Sequence, residues 1–179
     1  SLIYWFNDFL NKVGRDKARL IMHTDPKDQN GQDLEAILHE LDMINGEVYL
    51  STNKLPPDSL ALMYNIADAT INISDAEGFG LATLESLSCG TPIIATMTGG
   101  LQEQVTDGEN WFGIGLEPTS KAIIGSQTVP YIYEDRLSQE VVVNALEEMY
   151  NNNFNNGTYV PIINNKKIIY KVEVADKEG

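Results

Sequence analysis

Short apolar runs and amphipathic stretches alternate along this chain. Residues 2–13, in "SLIYWFNDFLNKVG", carry apolar side chains at helical spacing. "ARLIMHT" (18–24) is almost continuously apolar, as a strand buried on both faces must be. "QDLEAILHELDMI" (32–44) sets Leu34, Ile37, Leu38 and Leu41 on one helical stripe. "GEVYLST" (46–52) predicts a strand, and "SLALMYNIA" (59–67) a helix capped by Asp58. "ATINIS" (69–74) predicts a third strand, and 80–89 a helix stopped by Gly90. "PIIATM" (92–97) and "WFGIGL" (111–116) predict two more strands, flanking a short helix at 100–106 and a turn at "DGEN". A last helix runs over 137–151.

Strand, helix, strand in repetition predicts parallel strands joined by crossover helices: an α/β fold with a doubly wound, Rossmann-like parallel sheet. Ligands of such sheets bind beyond the carboxyl ends of the strands. The loop "DAEGF" lies at such an end, after strand 69–74. The predicted division is one domain over 1–152 and an Asn-rich tail over 153–179. In that tail "YVPII" and "KIIYKVEV" around "NNK" suggest a β-hairpin.

Charge narrows the partners. The 179 residues carry a formal net charge of −14, which argues against nucleic acid and anionic membrane as broad partners, since both need clustered Lys and Arg. No basic residue falls between Lys54 and Lys121. No run of 18 apolar residues exists and the amino-terminal residues do not form a secretory signal. A single cysteine, Cys89, suits a reducing compartment and reads as a small packed residue at a helix end. A cytoplasmic location is expected, membrane-peripheral at most. The chain opens inside a helix without a starting Met, and reads as a piece of a longer protein.

The stretch "SDAEGFGLATLESLSCGTP" (74–92) combines acids, glycines and a helix start. The first N–H groups of a helix at 80–89 lack helical partners, and the macrodipole favours negative charge there. Gly78 and Gly80 let backbone approach a ligand closely. A diphosphate held by backbone would need no neighbouring Lys or Arg. Glu77 and Glu85 would repel phosphate, and make sense if each accepts hydrogen bonds from ligand hydroxyls on either side of it. A sugar, a diphosphate and a ribose in sequence have that shape. "TGG" (98–100) offers a second glycine-rich helix start.

"EGFGLATLESLSCGTPIIA" closely resembles the Glu-x7-Glu region of retaining glycosyltransferases of the two-domain GT-B architecture, above all the family 4 group. "ADATINISDAEGFG" and "TGGLQEQVTDGENWFGIGLEP" resemble the flanks found there. The resemblance covers roughly 1–118. It implies the donor-binding half of a GT-B enzyme that transfers a hexose-type sugar from a UDP-, GDP- or ADP-linked donor to an acceptor hydroxyl, with no metal and no cofactor. It implies that Glu77 is the catalytic residue and contacts hydroxyls of the donor sugar. Gly78 and the N–H groups of Phe79, Gly80 and Leu81 would meet sugar and diphosphate, and Glu85 the ribose. Ser51, Thr52 and Asn53 would border the base. Family members carry an Arg and a Lys on and just after the first strand. Arg15, Lys17 and Arg19 do not match that pattern, so the first strand and its cations are expected to be missing, together with the acceptor-binding half. Residues 1–179 alone are then expected to transfer no sugar. A sugar-nucleotide epimerase domain and a non-catalytic nucleotide-binding or interaction module are the alternatives.

The plainer readings stand beside these. Leu81, Leu84 and Leu87 are expected in the core. His23 ends a strand on the ligand side, where it reads as a hydrogen-bonded structural histidine with substrate contact as the alternative, and His39 sits inert on a helix. Tyr131 and Tyr133 in "VPYIYED" are expected to pack rather than stack on a ligand.

Overall fold

A computed structural model describes residues 1–29 and 31–151, and the backbone of 167–172. The elements in chain order are α1 (Leu2–Val13), β1 (Ala18–His23), α2 (Leu34–Glu40), β2 (Val48–Ser51), α3 (Pro57–Ile66), β3 (Ala69–Asn72), α4 (Leu81–Ser88), β4 (Ile93–Thr96), α5 (Leu101–Val105), β5 (Gly113–Leu116), β6 (Ser120–Ile124), β7 (Ile132–Arg136), α6 (Gln139–Asn151) and β8 (Lys167–Val172).

The main sheet is six-stranded and parallel, in the order β2-β1-β8-β3-β4-β5. Burial alternates between its faces. Leu20 and Met22 of β1 and Ile94 of β4 join the large core built from α1, α2 and α6. Their neighbours turn the other way: Ile21 packs with Tyr64 and Ala67, and Ile93 and Ala95 with Leu101 and Val105. Helices therefore cover both faces, the doubly wound Rossmann-like arrangement that the sequence predicts. Phe6, Phe9 and Leu10 of α1 are fully buried, as the amphipathic stripe requires.

Between β1 and β3 lies β8. Lys167 to Val172 run beside Ala18 to His23, and Ile169 and Tyr170 face Ala69 and Thr70. The strand thus has parallel neighbours on both sides. Tyr159–Ile163, the other arm of the expected hairpin, lies outside the described residues.

Three local expectations change. Asp58 does not cap α3; the helix starts two residues earlier than predicted, at Pro57, whose fixed φ suits the first helical position, and Asp58 lies within the first turn. Asp33 does cap α2, its carboxylate accepting from the Ala36 N–H at 3.0 Å. The segment between β5 and α6 forms an antiparallel ribbon, β6–β7, that the sequence reading did not predict. Its Tyr131 and Tyr133 are not packed inside: both are about 60% exposed and meet each other edge to face at 6.0 Å.

Candidate functional site

The site begins where β3 ends. Asn72 Oδ1 accepts from the Ser74 N–H at 3.0 Å and from the Ser74 hydroxyl at 2.7 Å, turning the chain out of the sheet. The loop through Glu77 to Gly80 then rests on the loop after β4. The Gly100 N–H donates to the Gly78 carbonyl at 3.2 Å. Gly99 has φ +48°, and a Cβ there would stand 1.8 Å from the Glu77 carbonyl oxygen. Only glycine fits so close an approach. The "TGG" turn thus supports the Glu77 loop as well as starting α5.

Gly80 is the N-cap of α4, in the left-handed region at φ 83° and with no side-chain cap. Its carbonyl, and that of Phe79, accept from the amide nitrogen of Gln104 on α5. Gln104 is buried and takes the Thr83 hydroxyl on its amide oxygen. Fixing these carbonyls fixes the peptide planes whose N–H groups start α4.

The start of α4 opens into a cavity of about 790 Å³ at the carboxyl ends of the strands. Glu77, Phe79, Gly80 and Leu81 line it, with the amino-terminal turn of α1 opposite. The start of α4 therefore faces the cavity, and a helix start favours an anion. Gly78 and Glu85 are not among its lining residues. Glu85 lies one turn along α4 from Leu81, on the same helix face, and is exposed. Its Oε2 accepts from the Tyr64 hydroxyl at 2.9 Å.

Leu81 and Leu84 are not core residues: they are 64% and 40% exposed. The buried face of α4 is made instead of Ala82, Thr83 and Ser86. Small side chains let the helix sit close to the sheet, where the Ser86 hydroxyl donates to Thr70 Oγ1 at 2.7 Å. Leu87 is half-buried against Ile93 and its neighbours, as expected.

The far wall holds the cation of the cavity lining, Arg136 of β7. Its guanidinium meets Glu134 at 2.7 Å and Asp75 at 2.8 Å. The hydrogen bond to Glu134, and the charge of Asp75 beside it, raise its pKa above the ordinary arginine value. The Asp135 N–H donates to the Asp75 carbonyl at 2.9 Å, so the ribbon grips the loop just before Glu77.

Ser51 ends β2 and Thr52 and Asn53 follow it, all three outside the cavity lining. The Ser51 hydroxyl is 2.9 Å from His23 Nδ1, which gives His23 the structural role expected of it. His39 is exposed on α2, and Cys89 is half-buried at the end of α4 beside Tyr64. Gln104, Tyr64 and Arg136 were not singled out from sequence. A polar residue inside the short apolar-periodic helix at 100–106 was the one available signal for Gln104.

The profile of the glycosyl transferases group 1 family matches residues 32–152. The chain belongs to this family. Curated glycosyltransferases match it locally. The D-inositol 3-phosphate glycosyltransferase of Acidothermus cellulolyticus is 50% identical over 56 residues, 31% of this chain and 12% of that protein. That of Thermomonospora curvata is 43% identical over 70 residues, 38% of this chain and 16% of that protein. That of Rhodococcus erythropolis is 32% identical over 120 residues, 57% of this chain and 27% of that protein. The chain thus spans about a quarter or less of these relatives. This group 1 glycosyltransferase domain has no helix, among its described residues, long and apolar enough to cross a membrane.

Proposed function

We propose that this domain is the donor-binding half of a retaining GT-B glycosyltransferase of the family 4 kind. It binds a nucleoside-diphosphate hexose, UDP-, GDP- or ADP-linked, and a separate acceptor half completes the enzyme. The observation that carries the reading is the open, side-chain-free start of α4 in the strand-end cavity, with Glu77 beside it and Glu85 one turn beyond on the same face.

In this reading the diphosphate lies across the N–H groups at Phe79, Gly80 and Leu81, with Gly78 leaving room for it. Glu77 accepts hydrogen bonds from sugar hydroxyls, and Glu85 from the ribose. Ser51, Thr52 and Asn53 border the base. In the transfer step the sugar C1–O bond to phosphate breaks and a C1–O bond to the acceptor forms on the same face. The leaving phosphate oxygen takes the acceptor proton. The protein contributes position and fixed dipoles. No cofactor or metal enters the scheme, and the proposed location is cytoplasmic.

The test is transfer from UDP-, GDP- and ADP-hexoses by the intact enzyme and its variants. Glu77→Ala is expected to lower turnover more than nucleotide affinity. Glu85→Ala is expected to weaken nucleotide binding by about 1–3 kcal/mol, the value of lost charged hydrogen bonds. If both variants changed only the Michaelis constant for acceptor, the assignment would fail.

A further inference from the structure

Tyr64 is among the largest fully buried side chains, 1% exposed at the junction of α3 and α4. Its ring packs in the small cluster with Ile21 and Ala67. The Thr91 hydroxyl donates to the Tyr64 carbonyl at 2.8 Å, which fixes this part of α3. From that fixed frame its hydroxyl donates to Oε2 of Glu85 at 2.9 Å. The acceptor is exposed on α4, where a glutamate ordinarily samples several rotamers. A buried donor that holds one oxygen of an exposed carboxylate removes that freedom and sets the carboxylate plane.

We infer that Tyr64 is a positioning residue for nucleotide recognition: its hydroxyl orients Glu85 so that the carboxylate meets the ribose hydroxyls of a nucleoside diphosphate. The inference rests on the assignment of Glu85 to the ribose. A carboxylate receives two hydroxyls well only when its plane faces them. The Tyr64 hydroxyl occupies one lone-pair direction of Oε2 and leaves the remaining acceptor directions to the ligand.

The experiment measures binding of UDP, GDP and ADP, and of their 2′-deoxy counterparts, to the intact protein by calorimetric titration. The base that binds is carried forward. The parent protein is expected to prefer the ribonucleotide about tenfold, the scale of one hydrogen bond to a charged group. Glu85→Ala is expected to abolish that preference. Tyr64→Phe keeps the ring and its packing, and is expected to cut the preference to about threefold, weakening the ribonucleotide more than the 2′-deoxynucleotide, which keeps its 3′-hydroxyl. Tyr64→Phe added to Glu85→Ala is expected to do nothing further, which separates positioning from packing. If Tyr64→Phe weakened both nucleotides equally, or left the preference at the parent value while Glu85→Ala abolished it, Tyr64 would be a packing residue and the inference would fall alone. If Glu85→Ala kept the preference, or the parent showed none, the ribose assignment would fall and the inference with it. Should Tyr64→Phe unfold, Glu85→Gln gives a second reading. It keeps the chain length but weakens the acceptor pair, and is expected to lower the preference; an unchanged preference counts against the inference.

Discussion

Substituting Gly99 by alanine tests whether the two loops truly lean on each other. The new Cβ would stand 1.8 Å from the Glu77 carbonyl oxygen and 3.0 Å from its carbonyl carbon. Ordinary contact begins near 3.4 Å, so one backbone must move by on the order of 1.5 Å. Overpacking of this kind costs about 1–3 kcal/mol, and here the obstacle is backbone, which places it near the upper end. The left-handed φ of +48° adds about 1–2 kcal/mol for any residue with a Cβ. The sum is about 4 kcal/mol, or a fall in Tm of roughly 10 °C for a domain of this size. Gly78→Ala is the control: its Cβ would meet nothing within 4 Å, and a surface change of that kind stays within about 0.5 kcal/mol. Thermal and urea unfolding of both variants give the comparison. A Gly99→Ala protein as stable as Gly78→Ala would refute the contact between the loops. Because the displaced atom belongs to Glu77, the proposed donor-sugar contact should weaken along with stability.

Gln104→Leu should cost about 1–3 kcal/mol in urea unfolding, since it strips the amide from the buried carbonyl of Gly80 and the part-buried one of Phe79. Asp75→Asn, which breaks the partly exposed pair with Arg136, should cost under about 1 kcal/mol and the loss should fade with salt, as a double-mutant cycle with Arg136→Gln would show. The Asp107 carboxyl lies below its ordinary value of 3.8, first because the Asn110 N–H donates to it and next because the Asn110 side chain does. A lowered folded value means that the contribution is present above pH 3.8 and is lost as pH falls through the folded value. Carboxyl NMR should therefore place the Asp107 titration on the acid side of its exposed neighbours, and Asn110→Ala should bring it back.

The fold was legible because its signal is periodicity. The continuous apolar runs at β1 and β4 and the stripe of α1 each admit one reading. α4 defeats the same rule. Three leucines at helical spacing suggest a core face, yet the helix buries Ala82, Thr83 and Ser86 and leaves Leu81 and Leu84 outside. Periodicity registers hydrophobicity, whereas close packing on a sheet selects for small size. The β6–β7 ribbon shows alternation in "SKAII" and "YIYEDR" around Gly125 and Pro130, but Ile123, Ile132 and Tyr133 are exposed and cover no core. The glutamates and glycines of the site stand out in sequence through their spacing. The residues that hold them do not: Tyr64 and Arg136 come from elements distant in the chain, and no local pattern marks a hydrogen bond closed only by the tertiary fold.

The position of β8 bears on how the protein is made. It follows every other strand in sequence but stands between β1 and β3. Within residues 1–179, β1 and β3 lack this shared neighbour until it is synthesised, and the facing edge of each carries unsatisfied peptide groups. Lys167 follows Asn72 by 95 residues, so translation at roughly 5–20 residues per second leaves the β3 edge open for on the order of 5–20 s. For that interval the edge is open to other chains, and a ribosome stalled after α6 would hold a species able to pair with its neighbours on the polysome.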